Sequence, residues 1–346
     1  MSISEEQVRT ALQSVRYPGF SRDIVSFGLV KDVQIDDGQI KVQLALATND
    51  PNIPATIKRE AEKTLSALEG VRSARVLIDI HAPPGGAGAS VGAQRIPGIK
   101  HVIAVASGKG GVGKSTVAAN LAAALEQTKA RVGLCDCDIY GPSISLMFGT
   151  RERPTASDEN KIIPIEQYHL KLMSMGFLLD DTSPAILRGP MVTRYTQQFL
   201  RQVDWGELDF LVLDLPPGTG DIQLTIVQTV ALSGAIIVTT PQEVALIDAR
   251  KAATMFEKVN VPVLGLIENM AYFISPTDGS KHDIFGIGGG EREAKRLRVP
   301  LLGQIPIDIA TREAGDRGEP IVLQDRQSPV AVEFRKVAQR IREALA

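Results

Sequence analysis

The chain has 346 residues, 44% of them hydrophobic, enough for a large domain plus a small one with a sizeable buried core. Its 38 lysines and arginines nearly cancel 40 aspartates and glutamates, so no global charge draws it to nucleic acid or to an anionic bilayer. The polar start MSISEEQVRT lacks an export pattern, no apolar run approaches about 18 residues, and the only two cysteines, Cys135 and Cys137, stand too close for an ordinary disulfide. These features lead us to expect a cytoplasmic protein in a reducing compartment, with neither nucleic acid nor membrane as a partner.

The first 82 residues predict a compact α+β domain. Val8, Leu12 and Val15 share one helical face. An alternating hairpin follows, with Val33 and Ile35, the turn Asp37-Gly38, then Ile40, Val42 and Leu44. A second helix is expected over 54–69, closed by Gly70, and ARVLIDI reads as a last strand. Residues 83–98, PPGGAGASVGAQRIPG, have the small-residue composition of a flexible linker.

Residues 99–346 alternate strand and helix. HVIAVAS, VGLCDCD, LKLMSMGF, DFLVLDLP, GAIIVTTP and VPVLGLIENM are apolar on both faces, the mark of a mainly parallel sheet covered by helices on each side. A final helix opens at Ser328-Pro329 and gathers Val330, Phe334, Val337 and Ile341 on one face for packing on the sheet.

SGKGGVGKST joins the first of these strands to a helix. From Gly108 to Ser115 it fits G-x-x-x-x-G-K-[ST]. Gly108, Gly110, Gly111 and Gly113, with Val112 between them, let backbone N–H groups turn toward phosphates. Lys114 neutralises the outer phosphates, the helix N-terminus at Ser115 and Thr116 adds partial positive charge, and the Ser115 hydroxyl can ligate magnesium. A carboxylate at the end of a buried strand must hold the metal from the other side, and Asp214 in DFLVLDLPPGTGD occupies such a position. Residues 216–221 after it mix prolines and glycines, suiting a segment that moves with the γ-phosphate. Asp138 in CDCDIYGPS is expected to end the second strand, where it could orient the attacking water or reach magnesium through water, with Asp136 the weaker candidate.

One lysine is left over. KGGVGKS resembles the deviant phosphate loop of the MinD and ParA ATPases and the nitrogenase iron protein, and that resemblance makes Lys109 a cation reaching across a nucleotide-sandwich homodimer to phosphates held by the other subunit. Within that class the chain is similar to the Mrp/ApbC family of iron–sulfur cluster carrier ATPases. The motifs are VASGKGGVGKSTVAANLA, DCDIYGPSISLMFG, AILRGPMVT, LVLDLPPGTGD, TTPQEVALIDARKA, ENMAYFISPTDGSKHDIFGIGGG and LGQIPID, with a small domain similar to an iron–sulfur assembly domain. The resemblance implies slow ATP hydrolysis with magnesium, a homodimer, and partners among iron–sulfur assembly proteins and acceptor apo-proteins. It also implies that Asn269 contacts adenine and that the backbone around Pro306 and Asp308 encloses the base. No N-K-x-D guanine motif occurs, which favours ATP over GTP.

The chain departs from that family where many members carry Cys-x-x-Cys after ENM. Ser275 stands at the first cysteine position and the segment has no cysteine. TNDPNIPA and RYPGF likewise replace a reactive cysteine and an acidic motif of related small domains. Cys135 and Cys137 read as packed core thiols, His282, Asp283 and Asp278 as a polar loop rather than an oxygen and nitrogen metal site, and GIGGG as a flexible turn before a helix. Two alternatives stay open: an ATP-gated adaptor that holds no cluster, and a MinD/ParA-like positioning ATPase.

Overall fold

The computed structural model describes residues 3–15, 23–25, 29–36, 38–47, 52–68, 70–81, 93–157, 161–177 and 199–346. Asp37 and residues 16–20, 48–51, 83–92 and 185–193, which figure in the sequence expectations, lie outside them. The chain divides into two compact units, Met1–Ser90 and Val91–Ala346.

In the first unit, helix α1 (Glu5–Leu12) starts with a capping box: the Gln7 N–H donates to Ser4 Oγ at 3.3 Å and the Ser4 N–H to Gln7 Oε1 at 3.0 Å. Strands β1 (Val30–Asp36) and β2 (Gln39–Ala47) pair antiparallel, with Ile35 opposite Ile40 and Gly38 turning the chain at φ +76°. Helix α2 runs Asn52–Ser66 rather than 54–69, because Pro54 is tolerated in a first turn where its missing N–H has no helical partner anyway. The helix unwinds through i→i−3 bonds from Ala67 and Leu68 before Gly70. Strand β3 (Ser73–His81) lies parallel to β2. Ile57, Ala61 and Leu65, one α2 face, bury against Ile40, Val42 and Leu44 and against Val8 and Leu12.

The second unit runs β4 (Ile99–Ala106), α3 (Lys114–Glu126), β5 (Val132–Asp136), α4 (Ile144–Met147), the small pair β6 (Thr155–Ala156) and β7 (Ile162–Ile163), β8 (Ile165–Gln167), β9 (Leu170–Ser174) and β10 (Leu208–Asp214). It continues with α5 (Asp221–Thr229), β11 (Gly234–Thr239), α6 (Glu243–Lys258), β12 (Val263–Ile274), β13 (Lys281–His282), α7 (Gly289–Leu297), β14 (Leu301–Ile307), α8 (Ile309–Arg317), α9 (Ile321–Gln324) and α10 (Pro329–Leu345). The sheet order is β13-β12-β11-β4-β10-β5-β9-β8, with β14 paired to β12. Strands β14, β12, β11, β4, β10, β5 and β9 are mutually parallel, and only the short β8 and β13 attach antiparallel. Upstream of β4, Gln94 pairs with Val230.

The doubly apolar strands have a direct cause. Ile103 and Val105 of β4 bury with Val117, Leu121, Phe334 and Val337 of α3 and α10, while Val102, Ala104 and Ala106 bury on the opposite face with Ile226 and Phe256 of α5 and α6. Ser328 caps α10, its Oγ accepting from the Ala331 N–H at 3.1 Å, a bond worth about 1 kcal/mol. The apolar face of α10 packs on α3 and β14, so it is spent on the core. No helix among the described residues is long and apolar enough to cross a membrane.

Candidate functional site

The loop between β4 and α3 bends where Gly111 (φ +80°) and Gly113 (φ +79°) adopt the left-handed conformation that disfavours side chains. Gly113 has a second constraint, since a Cβ there would sit 2.2 Å from Asn269 Nδ2. Gly108 is pressed against α6, where a Cβ would lie 2.1 Å from the Asp248 carbonyl. A Cβ on Gly110 or Gly111 would meet nothing within 4 Å. The loop is therefore braced at both ends and open in the middle, as a backbone phosphate cradle requires.

Lys114 is the first residue of α3 and is buried; its ammonium donates to Asp214 Oδ1 and to Ser115 Oγ, the latter at 3.2 Å. Asp214, fully buried, is the last residue of β10. Burial pushes its carboxyl up, while the Lys114 ammonium beside it and the Ser115 hydroxyl pull the other way. Its second oxygen, Oδ2, is sealed from solvent without a partner. An orphan carboxylate oxygen next to a serine hydroxyl is a donor set that suits magnesium, so Ser115 and Asp214 fit that ion. Lys109 is half-buried; its carbonyl accepts from Ser107 Oγ at 2.9 Å, and among the described residues its ammonium has no partner. The Ser107 carbonyl accepts from the Gly218 N–H at 3.0 Å, tying residues 216–221 to the phosphate loop.

Strand β5 ends at Asp136, in register with Asp214, and not at Asp138. Asp136 is fully buried. Its Oδ2 accepts from the Ser143 N–H (3.0 Å), the Ile144 N–H (3.2 Å) and Ser174 Oγ (3.0 Å), and its Oδ1 from the Asp138 N–H (3.0 Å). Asp136 thus pins the loop into α4. Burial, with Asp214 close by, raises its carboxyl to about 7. Asp138 lies two residues past the strand, half-exposed, with Oδ1 accepting from the Gly141 N–H at 3.2 Å. Its carboxylate is partly solvent-exposed and close enough to Asp214 to raise that carboxyl, which places it beside the phosphate site.

A cavity of about 480 Å³, ample for a nucleoside, opens from Gly113 and Thr116. Asn269 and Met270 of β12 and Pro306 and Asp308 at the end of β14 also line it, so every residue expected to contact the base borders one space. Asn269 Nδ2 donates to the Val112 carbonyl at 2.8 Å, which ties the cavity to the phosphate loop and leaves Oδ1 as the side chain's acceptor. Asp308 caps α8, accepting from the Thr311 N–H and Oγ1, both at 2.7 Å.

Several contributors escaped sequence reasoning. Met270 takes φ +55°, rare for a side-chain-bearing residue, where β12 slips register against β14. Glu268, buried next to Asn269, accepts from the Gly290 N–H at 2.6 Å and from Gln304 Nε2 at 2.5 Å. The GIGGG stretch is a turn ahead of a helix only through Gly288, with Gly286 at φ +97° and Gly288 at φ +67°; α7 begins at Gly289, and Cβ atoms on Gly289 and Gly290 would fall 2.4 Å from the Pro241 carbonyl and 2.8 Å from Glu268. Close packing explains those glycines. ENM was the available signal for Glu268; nothing in one sequence marks Met270.

Past Asn269, β12 runs into a hairpin with β13. Asp278 accepts from the Ser280 N–H and hydroxyl, Ser280 Oγ lies 2.8 Å from His282 Nε2, and Lys281 pairs with Asp283 at 3.6 Å. No group of three or more histidine, cysteine, aspartate or glutamate residues among the described residues is arranged to hold a metal. Cys135 and Cys137 lie in the core on the α5–α6 side with Sγ atoms 3.9 Å apart, and hydrogen bonding to Cys135 together with burial pushes the Cys137 thiol well above its usual range.

A phosphate loop between a central parallel strand and a buried helix, with a strand-end carboxylate on the loop lysine, defines a P-loop nucleotide-binding protein. The family described as ParA, NUBPL iron-transfer P-loop NTPase matches residues 98–342, and the chain belongs to it. Residues 5–78 match the family described as iron-sulfur cluster assembly protein. A Synechocystis protein named iron-sulfur cluster carrier protein is 42% identical over 344 residues, covering 98% of this chain and 97% of its own. Among solved structures, a nucleotide-binding protein from Archaeoglobus fulgidus in complex with ADP, with cobalt, is 40% identical at TM-score 0.61, over 69% of this chain and 93% of that one. MinD from Pyrococcus horikoshii complexed with Mg-ADP is 26% identical at TM-score 0.53, over 70% and 95%.

Proposed function

We propose that the chain is an ATP-hydrolysing homodimer that transfers iron–sulfur clusters to acceptor apo-proteins in the cytoplasm. The observation that carries this is the cluster of Lys114, Ser115 and the half-satisfied Asp214, with a Lys109 ammonium that has no partner among the described residues, in a chain of the iron-transfer P-loop family.

Nucleotide phosphates entering the cradle take the Lys114 ammonium from Asp214. Ser115 and Asp214 would hold magnesium, with Asp138 as a further carboxylate of that site, and the ion would supply neutralisation of the charge on the outer phosphates. The loop N–H groups from Gly108 to Thr116 bind the phosphates, and Asp138 orients the attacking water. Lys109 acts on the partner's nucleotide, so charge is neutralised only when two subunits close, and turnover is slow because it waits on closure. Asn269 offers Oδ1 to an exocyclic amino group, which adenine has at the position where guanine carries a carbonyl, so ATP is preferred. Pro306 and Asp308 enclose the base. Asp214 passes the phosphate state to residues 216–221, which hold the loop through the Gly218-to-Ser107 bond.

Sedimentation velocity and phosphate release with Lys109→Ala test this. Loss of ATP-dependent dimerisation and a fall in turnover of about a hundredfold or more are expected; wild-type dimerisation and turnover in the variant would refute it.

A further inference from the structure

Iron–sulfur clusters are held by soft ligands, ordinarily four thiolates, with imidazole as the usual substitute. The whole sequence offers two cysteines and four histidines. Neither cysteine is at the surface: Cys135 is 0% and Cys137 1% exposed, both packed among Leu211, Leu213 and Ile226, with their Sγ atoms 3.9 Å apart. Ligation there would require the sheet to open beside Asp136 and Asp214. The histidines are dispersed. His101 stacks on Phe210 of a neighbouring strand, 5.4 Å between ring centroids, and His282 sits in the β12–β13 hairpin against Ser280. His169 follows β8 at the far edge of the sheet, and His81 ends β3 in the other unit. Two copies of such a chain still bring no surface thiolate to a shared site.

Resting on the cluster-transfer function above, we propose that this protein handles clusters without ligating one. Every soft ligand to iron comes from the client side, so its partners are proteins that present a complete thiolate set of their own. The nucleotide cycle then acts on the partner that carries the cluster, and the cluster passes between thiolates of donor and acceptor with no intermediate bound here. No change of iron or sulfide oxidation state is involved; each iron–thiolate bond broken on the donor is replaced by one to the acceptor.

The test uses the full chain under anaerobic conditions. It is incubated with ferric iron, sulfide and dithiothreitol in one tube with an apo-ferredoxin bearing a four-cysteine site, and the two are separated by size. Expected are a loaded ferredoxin and less than about a tenth of a cluster on this chain, the same in Cys135→Ser/Cys137→Ser. A stoichiometric cluster on the wild-type chain overturns the proposal, and its loss in the double variant would assign it to the core thiols. Alkylation of the folded wild-type protein gives a check free of any folding defect: both thiols should resist a reagent that modifies them at once in guanidinium, and rapid native labelling would contradict the proposal. The functional premise fails differently. A chain that retains no cluster but, with Mg-ATP, also leaves unchanged the rate of cluster passage from a thiolate-ligated scaffold protein to apo-ferredoxin overturns the transfer function along with the inference drawn from it.

Discussion

The phosphate loop and the β12–β13 hairpin occupy one strand's reach of each other, yet they are built on opposite terms. Around the loop, polar atoms are assigned: Asn269 to Val112, Ser107 to Lys109 and Gly218, Asp136 to four donors, and the sealed, unpartnered Asp214 Oδ2 is where a cation belongs. In the hairpin and the turn after it, polar side chains bond only to near neighbours, and Ile274, Ile284 and Ile287 are 44%, 57% and 72% exposed. The nucleotide end has its chemistry preorganised, and the other end offers surface rather than ligands.

The largest blow to that contrast is at the loop. Lys114→Ala should lower hydrolysis by roughly a thousandfold or more, read as phosphate release at saturating ATP, because Lys114 is the basic side chain that the cradle's own subunit supplies to the outer phosphates. Asp136→Ala comes next. It strands four donors in the core and should cost about 3 kcal/mol or more, seen as a lowered urea midpoint with m unchanged.

The same carboxyl predicts a pH dependence. Its folded-state value of about 7 lies above the ordinary 3.8, so between those values the folded protein binds a proton that the unfolded chain has released. The stability contribution is full below about pH 4, is lost as pH rises toward 7 and then levels off. Urea melts should weaken over that window in the wild type, and Asp136→Asn should flatten the slope. A smaller effect is expected at Asn269→Ala, which should narrow the preference for ATP over GTP by about tenfold in competition binding, since only the contact with the exocyclic group changes sign. Ile287→Ser should do least, leaving hydrolysis unaltered and stability within about 0.5 kcal/mol; a marked fall in either would place the hairpin inside the nucleotide machinery.

Much of this was legible in the sequence for a physical reason. A phosphate cradle needs glycines, a lysine and a hydroxyl in consecutive positions, so GKGGVGKS betrays its job locally, and doubly apolar strands announce a sheet covered on both faces. The α10 stripe of Val330, Phe334, Val337 and Ile341 was equally plain. What stayed hidden depends on contacts between distant segments. Asp136 and Asp138 have the same residue type at alternate positions, and only the end of β5 with the Ser143, Ile144 and Ser174 donors tells the anchor from the free carboxylate. The glycines of α7 are explained by Pro241 and Glu268, far away in sequence. Strand β14 passed unread because LGQIPI is short and carries a glycine and a proline, its pairing with β12 supplying what propensity does not.

The most direct test of the ATP-gated dimer is complementation between two inactive variants. Lys109→Ala and Lys114→Ala, each nearly inert alone, are mixed in equal amounts and ATP hydrolysis is followed. If Lys109 serves the partner's nucleotide, half the dimers are mixed and each has one complete site, so activity should recover to about a quarter of wild type. Activity no greater than the average of the two variants would mean that Lys109 acts within its own subunit, and the trans mechanism would be wrong.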